Sequence, residues 1–182
     1  RIVYAAGSGV VFKTTNAGKA WRRVTGGQLG GRASALAVDP ARSATVYFAT
    51  ERGVRKTTDG GRTWRWVNAG LFDGETARRR EHRLVEGFAE RLVVDGHRPG
   101  TLYLRTATRG LFRTTDGGAR WSLAGPRQFR TVGYHAEVAI DPSSPGAVYA
   151  SWSTFFGNSP AHLYRSADGG STWQPIGVKG QH

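Results

Sequence analysis

The sequence predicts an all-β fold of repeated antiparallel units, and three observations point to it. One eight-residue motif occurs four times, ending each time in Trp. The copies begin at Thr14, Thr57, Thr114 and Ser166, so successive starts lie 43, 57 and 52 residues apart. Short alternating segments rich in β-branched and aromatic residues accompany each copy, bounded by Gly, Pro and Asp. A period near ~40 to 50 residues is that of a four-stranded propeller blade rather than of a helical hairpin repeat.

The elements follow in order. An apolar run ending in Asp supplies the first strand of a unit: Leu36 to Asp39, Leu92 to Asp95 and Val138 to Asp141. A Val-Tyr or Leu-Tyr segment supplies the second, at Val46-Tyr47, Leu102-Tyr103 and Val148-Tyr149. The third strand enters the motif and the fourth opens at its Trp. Val3-Tyr4 matches Val46-Tyr47 with nothing corresponding before it. The first unit is therefore expected to lack its innermost strand, leaving 15 strands in about four blades.

These assignments place blades at roughly 1–31, 32–71, 91–126 and 135–178 of a single domain or part of one, with 72–90 as an inserted loop. Leu84, Val85, Phe88 and Leu92 recur at helical spacing, so that loop is expected to be part helical, although Gly87 opposes it. Four blades is the lower limit for a closed ring. The reading preferred is part of a larger propeller, and the alternative is a strained four-bladed ring.

The motif has a mechanical rationale. Its Asp accepts backbone N–H bonds across a tight turn, its Gly supplies positive φ, and its Thr or Ser hydroxyl adds a local bond. The Trp is large enough to wedge neighbouring blades apart from water. Asn16 and Trp21, Asp59 and Trp64, Asp116 and Trp121, and Asp168 and Trp173 are accordingly assigned structural roles. Asn16 keeps an acceptor oxygen.

These residues resemble the Asp-box, or BNR, pattern Ser/Thr-x-Asp-x-Gly-x-Thr-Trp. Sialidases, xyloglucan-degrading glycoside hydrolases, sortilin-type receptors and photosystem II assembly factors share it. The resemblance implies a β-propeller and leaves function open, because these families do different things on one scaffold.

The formal charge is +13, from 26 basic and 13 acidic residues, and Arg supplies 22 of the basic ones. Arg is the better fork for carboxylate, sulfate and phosphate, but the bias also suits a solvated surface. With no Cys, the chain has no disulfide, thiolate metal site or cysteine nucleophile. The compartment stays open, with extracellular or periplasmic placement favoured. No apolar stretch approaches the ~20 residues of a membrane-spanning helix. The sequence opens at Arg1 without Met or a charged-then-apolar leader, so a signal peptide either was removed or was never included.

Loops at the rim opposite the Asp-box turns are where a site is expected. Arg78, Arg79, Arg80 and Arg83 in the long connection, with Arg32, Arg52, Arg109, Arg127 and Arg130, form a candidate basic crown. A second candidate patch joins Tyr134, His135 and Glu137 to Trp152, Phe155 and Phe156, aromatics beside polar groups of the kind that bind sugar or peptide. No cofactor and no metal are called for; His82 and Glu86, four apart, lack a third ligand.

Glycoside hydrolysis generally uses two positioned carboxylates. Asp39, Asp95, Asp141, Asp59, Asp116 and Asp168 are explained by the repeat, leaving Glu51, Asp73, Glu75, Glu81, Glu86, Glu90 and Glu137. Five of these fall in the long connection, and no spacing singles out a pair. The Arg-Ile-Pro segment and Tyr-Glu nucleophile of sialidases have no match, since Arg1-Ile2-Val3-Tyr4 lacks the Pro, and the two catalytic Asp residues of xyloglucan-degrading enzymes cannot be placed. The expected function is therefore a non-catalytic scaffold, like an assembly factor or sortilin, that binds an acidic protein or a polyanionic or carbohydrate ligand. Part of a secreted glycoside hydrolase is the alternative, and nucleic acid ranks third. Remaining blades of a longer chain, or self-association, complete the expected partners.

Overall fold

A meander of consecutive strands can pair only antiparallel, and here each unit closes its own sheet. The computed structural model describes residues 1–25, 33–50, 52–71, 89–106, 109–125, 134–154 and 162–177. The first sheet has three strands, β1 (Val3–Gly7), β2 (Val10–Thr14) and β3 (Arg22–Arg23). The second has β4 (Ala33–Asp39), β5 (Arg42–Thr50), β6 (Gly53–Thr57) and β7 (Arg65–Trp66). The third has β8 (Ala89–Val94), β9 (Leu102–Thr106), β10 (Gly110–Thr114) and β11 (Ser122–Leu123). The fourth has β12 (Tyr134–Ile140), β13 (Val148–Thr154), β14 (His162–Ser166) and β15 (Gln174–Ile176). The architecture is all-β, with the first blade one strand short.

Register is the same in every blade. Tyr4 pairs with Lys13, Tyr47 with Lys56, Tyr103 with Arg113 and Tyr149 with Arg165. β8 begins at Ala89, so Glu90 belongs to an inner strand rather than to the long connection, and Leu92 is a strand residue rather than a helical one. The other residues of the helical spacing, like His82 and Glu86, lie outside the described residues.

Each Asp-box turn is closed as its chemistry requires. Asp59 Oδ1 accepts from the Arg62 and Thr63 amides at 2.9 and 3.0 Å, and the Thr57 hydroxyl donates to it at 2.7 Å. Asp168 takes the Ser171 and Thr172 amides, both at 2.9 Å. Asn16 Oδ1 accepts the Ala20 amide at 2.9 Å, so the amide replaces the carboxylate without loss of the turn. The side-chain hydroxyl of Thr63 and then its amide hold the Asp59 carboxyl well below the usual carboxylate range. Thr172 does the same for Asp168. At Asp116 burial opposes the hydrogen bonds from Thr114 and Arg120, and the net direction is still downward.

Blades interlock through three apolar layers, one at each boundary. Tyr4, Val11 and Val24 of the first blade pack on Val46, Phe48 and Trp64 of the second. Tyr47, Val54 and Val67 then pack on Leu102, Leu104 and Trp121 of the third. Tyr103 and Leu111 pack on Val148, Ala150 and Trp173 of the fourth. Each of these Trp residues donates its indole N–H backwards across the boundary. Trp64 reaches the Val24 carbonyl at 3.1 Å, Trp121 the Val67 carbonyl at 2.7 Å, and Trp173 the Ala124 carbonyl.

Tyrosines reach forwards. The Tyr4 hydroxyl donates to the Ser43 carbonyl at 2.9 Å and the Tyr103 hydroxyl to the Gly169 carbonyl at 2.8 Å. Burial, with Asp39 nearby, pushes the Tyr47 phenol up to about 12. Close approach fixes one glycine: Gly70 sits at φ 86°, where a Cβ would overlap the Trp121 carbonyl.

Trp64, Trp121 and Trp173 each lie at a boundary between two blades. Trp21 is 45% exposed, because no described sheet precedes the first blade for it to fill against.

Candidate functional site

In an antiparallel meander the first and third turns of a blade share one end, and the second turn shares the other end with the connections between blades. At that second end the inner strands β8 and β12 carry the charged groups. β8 is bulged: Ala89 opposes Thr106 and Arg91 opposes Arg105, leaving Glu90 unpaired in the ladder. A bulge bends the strand and re-aims its extra side chain. Here it brings the Glu90 carboxylate onto the Arg105 guanidinium, which is only 8% exposed.

Arg105 stands where the other blades place Ala6, Ala49 and Ser151, so this blade alone buries a guanidinium at that level. A buried cation needs such a counter-charge. Next to it, Arg91 Nε lies 3.3 Å from Glu137 Oε2, bridging the inner strands of blades three and four. Both side chains are more than half exposed, at 55% and 61%. An exposed pair of this kind contributes at most ~1 kcal/mol, so either member is available to a competing ion.

Two further arginines are fixed at this end. Arg109 donates from NH1 to the Leu71 carbonyl at 2.9 Å, tying blade three to blade two. Arg52 sits in the β5–β6 turn, where its amide donates to Thr50 Oγ1 at 3.1 Å and its carbonyl accepts from Asn68 at 3.1 Å. An axial cleft of about 610 Å³ runs between β4 and β8, from Ser34 and Glu90 at this end to Pro40 and Gly96 at the other. A second cleft, of about 600 Å³, opens between blades three and four on the Asp-box side, beside Arg113, Arg120 and Trp173.

Of the residues expected at the site, Glu137 is placed on the inner strand and paired with Arg91. Tyr134 and His135 occupy the start of β12, opposite Thr154 and Ser153, and Trp152 lies opposite Ala136 on β13. Arg78, Arg79, Arg80, Arg83, Arg127, Arg130, Phe155 and Phe156 lie outside the described residues, as do Asp73 and Glu75. Arg91 and Arg105 were missed by sequence reasoning, and Glu90 was counted only among the unassigned carboxylates of the long connection. The available signal was the Arg at a level where the repeat elsewhere carries Ala or Ser.

Among known proteins, a solved GH74 enzyme of Niastella koreensis superposes on 96% of this chain with a TM-score of 0.68 at 21% identity. The chain has the blade fold of the Asp-box propellers. YCF48 bound to D1 peptide, a second Asp-box propeller, matches 96% of the chain with a TM-score of 0.54 at 14% identity. In sequence, a probable oligoxyloglucan-reducing end-specific xyloglucanase of Neosartorya fischeri is 30% identical over 92 residues, 46% of this chain. No protein-family model matches. The chain spans 10% of the xyloglucanase, 27% of the GH74 enzyme and 78% of the YCF48 chain. It corresponds to a part of these longer propellers.

Proposed function

We propose that this Asp-box unit is a non-catalytic scaffold that binds an acidic protein segment at the rim carrying its blade connections. The observation that carries the reading is the Arg91–Glu137 pair, solvent-exposed at 3.3 Å on that rim. An incoming carboxylate gains a guanidinium by displacing Glu137 at little cost, because the pair it breaks is weak. Arg78, Arg79, Arg80, Arg83, Arg127 and Arg130 add, by sequence, to the formal charge of +13 that steers an anionic partner. Glu90 and Glu137 are each engaged by an arginine. YCF48, of the same fold, is bound to a D1 peptide in its solved structure.

The test is titration of the chain with a poly-glutamate peptide at low and at physiological salt. Wild type binds and salt weakens it, whereas Arg91→Glu combined with Arg78, Arg79, Arg80 and Arg83 changed to Glu does not bind. Equal affinity in that variant ends the proposal. The xyloglucanase and GH74 likenesses favour one second reading, a share of a glycoside hydrolase with Glu90 or Glu137 as a carboxylate of its site. Release of reducing ends from xyloglucan, lost in Glu137→Gln, would decide for it.

A further inference from the structure

The cleft of about 600 Å³ between blades three and four opens because this boundary departs from the two before it. In the first two blades the third and fourth strands set Lys13 opposite Arg22 and Lys56 opposite Arg65. In the third blade Arg113 stands opposite Ser122, so a short hydroxyl side chain replaces a long cation. Two residues on, Val24 and Val67 lie against the second glycine of the next Asp-box, where a Cβ on Gly61 or Gly118 would come within 2.7 or 3.0 Å of them. Their counterpart is Ala124, 3.9 Å from the same point at Gly170. The two truncations leave a space within the ~300–1,000 Å³ of small-molecule sites.

Arg113 also lacks the contact that its counterparts make. Lys56 Nζ donates to the Gly117 carbonyl of the next blade at 2.9 Å and lies 5.2 Å from the centre of the Tyr47 ring. Lys13 takes the same place beside Gly60 and over Tyr4. At the third boundary the place beside Gly169 is held by the Arg98 guanidinium, which Asp95 anchors at 3.0 Å, and the Gly169 carbonyl accepts from the Tyr103 hydroxyl at 2.8 Å. Arg113 reaches Ser171 Oγ instead, at 2.9 Å on the cleft wall. Its Nε is buried and has no hydrogen-bond partner among the described residues.

Arg91, Arg98 and Arg105 each have a carboxylate partner. Among the described residues neither Arg113 nor Arg120, on the same wall, forms an ion pair. The acid of that wall, Asp116, is engaged inside its own turn, accepting from the Thr114 hydroxyl at 2.7 Å and the Arg120 amide at 3.0 Å. A partly buried guanidinium without a counter-charge is costly, and a bound carboxylate supplies one.

We propose that this cleft binds an acidic sugar of the uronate class, at the end of the blades opposite the rim of the connections. The carboxylate lies between Arg113 and Arg120, whose planar heads grip carboxylates through paired hydrogen bonds. The Ser122 and Ser171 hydroxyls take sugar hydroxyls, and Trp173, only partly buried, offers its ring to the apolar face of the pyranose. A bare oxyanion would fill only a fraction of the space. Both walls belong to this chain, at an internal boundary.

Titration of the whole chain with methyl glucuronide, followed by NMR at the Trp173 indole N–H, tests the site. The expected result is a saturating shift with a Kd on the order of 1 mM. Methyl glucoside should give none, and acetate and sulfate should bind at least about tenfold more weakly. Arg113→Lys should weaken glucuronide binding at least about tenfold. Ser122→Arg with Ala124→Val rebuilds the pattern of the first two boundaries, so it should keep the fold by circular dichroism and abolish the shift. That variant should still bind poly-glutamate at the rim, so the two sites fail separately. No saturation by about 50 mM glucuronide, or unchanged binding in the filled variant, overturns the proposal. Equal affinity for sulfate or acetate would mean an adventitious ion only, and a Trp173 shift with poly-glutamate but not glucuronide would mean a peptide site; either result overturns it too.

Discussion

Trp121 donates its indole N–H to the Val67 carbonyl at 2.7 Å, from one blade into the next, and is 2% exposed. It belongs to one buried apolar cluster with Val54 and Val67 of the second blade, so the residue joins two sheets by a directional bond and by apolar burial at once. Trp121→Ala should therefore destabilise the fold by about 3–5 kcal/mol, the usual cost of emptying a buried aromatic site. Trp21→Ala removes the same residue type from an exposed position and should cost within about 0.5 kcal/mol at dilute concentration. Urea denaturation of the two variants measures the difference.

Gly70 lies at φ 86° with the Trp121 carbonyl where its Cβ would be. Gly70→Ala combines a disfavoured backbone conformation with a backbone clash across a blade boundary. A loss of about 2 kcal/mol or more is expected. Gly7→Ala meets no neighbouring atom within 4 Å and should be neutral or slightly stabilising. Thermal denaturation of both variants checks the pair.

The Asp59 and Asp168 carboxyls are held well below their ordinary range by hydroxyl and amide donors. The folded state therefore binds fewer protons than the unfolded chain in acid. Their contribution is complete above the unfolded value near ~4 and is lost as pH falls below it. Asp59→Asn with Asp168→Asn should flatten the pH dependence of stability below about pH 4, because an amide closes the first turn at Asn16 without titrating. Acid unfolding curves that superpose with wild type would contradict this.

The buried Arg105 depends on Glu90, and the exposed Arg91 on Glu137 much less. Glu90→Ala is expected to cost more, about 1–3 kcal/mol, by removing a carboxylate from a buried cation. Glu137→Ala should cost under about 1 kcal/mol. Chemical denaturation separates the two outcomes.

The blade plan was legible because an Asp-box turn is a local device. The Thr57 hydroxyl bonds to Asp59 and to the Gly61 amide within the turn itself, so eight residues carry the signal. The short first blade was legible for the same reason, from the match of Val3-Tyr4 to Val46-Tyr47. Exposure of Trp21 was not, because its motif ends in the same Trp as the others and the burial of that Trp depends on a sheet elsewhere.

The charged site was hidden by two non-local facts. A bulge at Glu90 decides where its carboxylate points, and only the fold sets Arg91 beside Glu137. Reading Glu90 as part of the long connection concealed both. An Arg at position 105 within an otherwise small-residue level was the one trace of it along the chain.

Hydrogen exchange at the indole N–H groups, followed by NMR, tests the interlocking of blades most directly. Trp64, Trp121 and Trp173 should exchange slowly, with Trp121 the slowest, while Trp66, 39% exposed on an outer strand, exchanges fast. Exchange at Trp121 as rapid as at Trp66 would mean that its indole does not bridge the blades, and the account would fail.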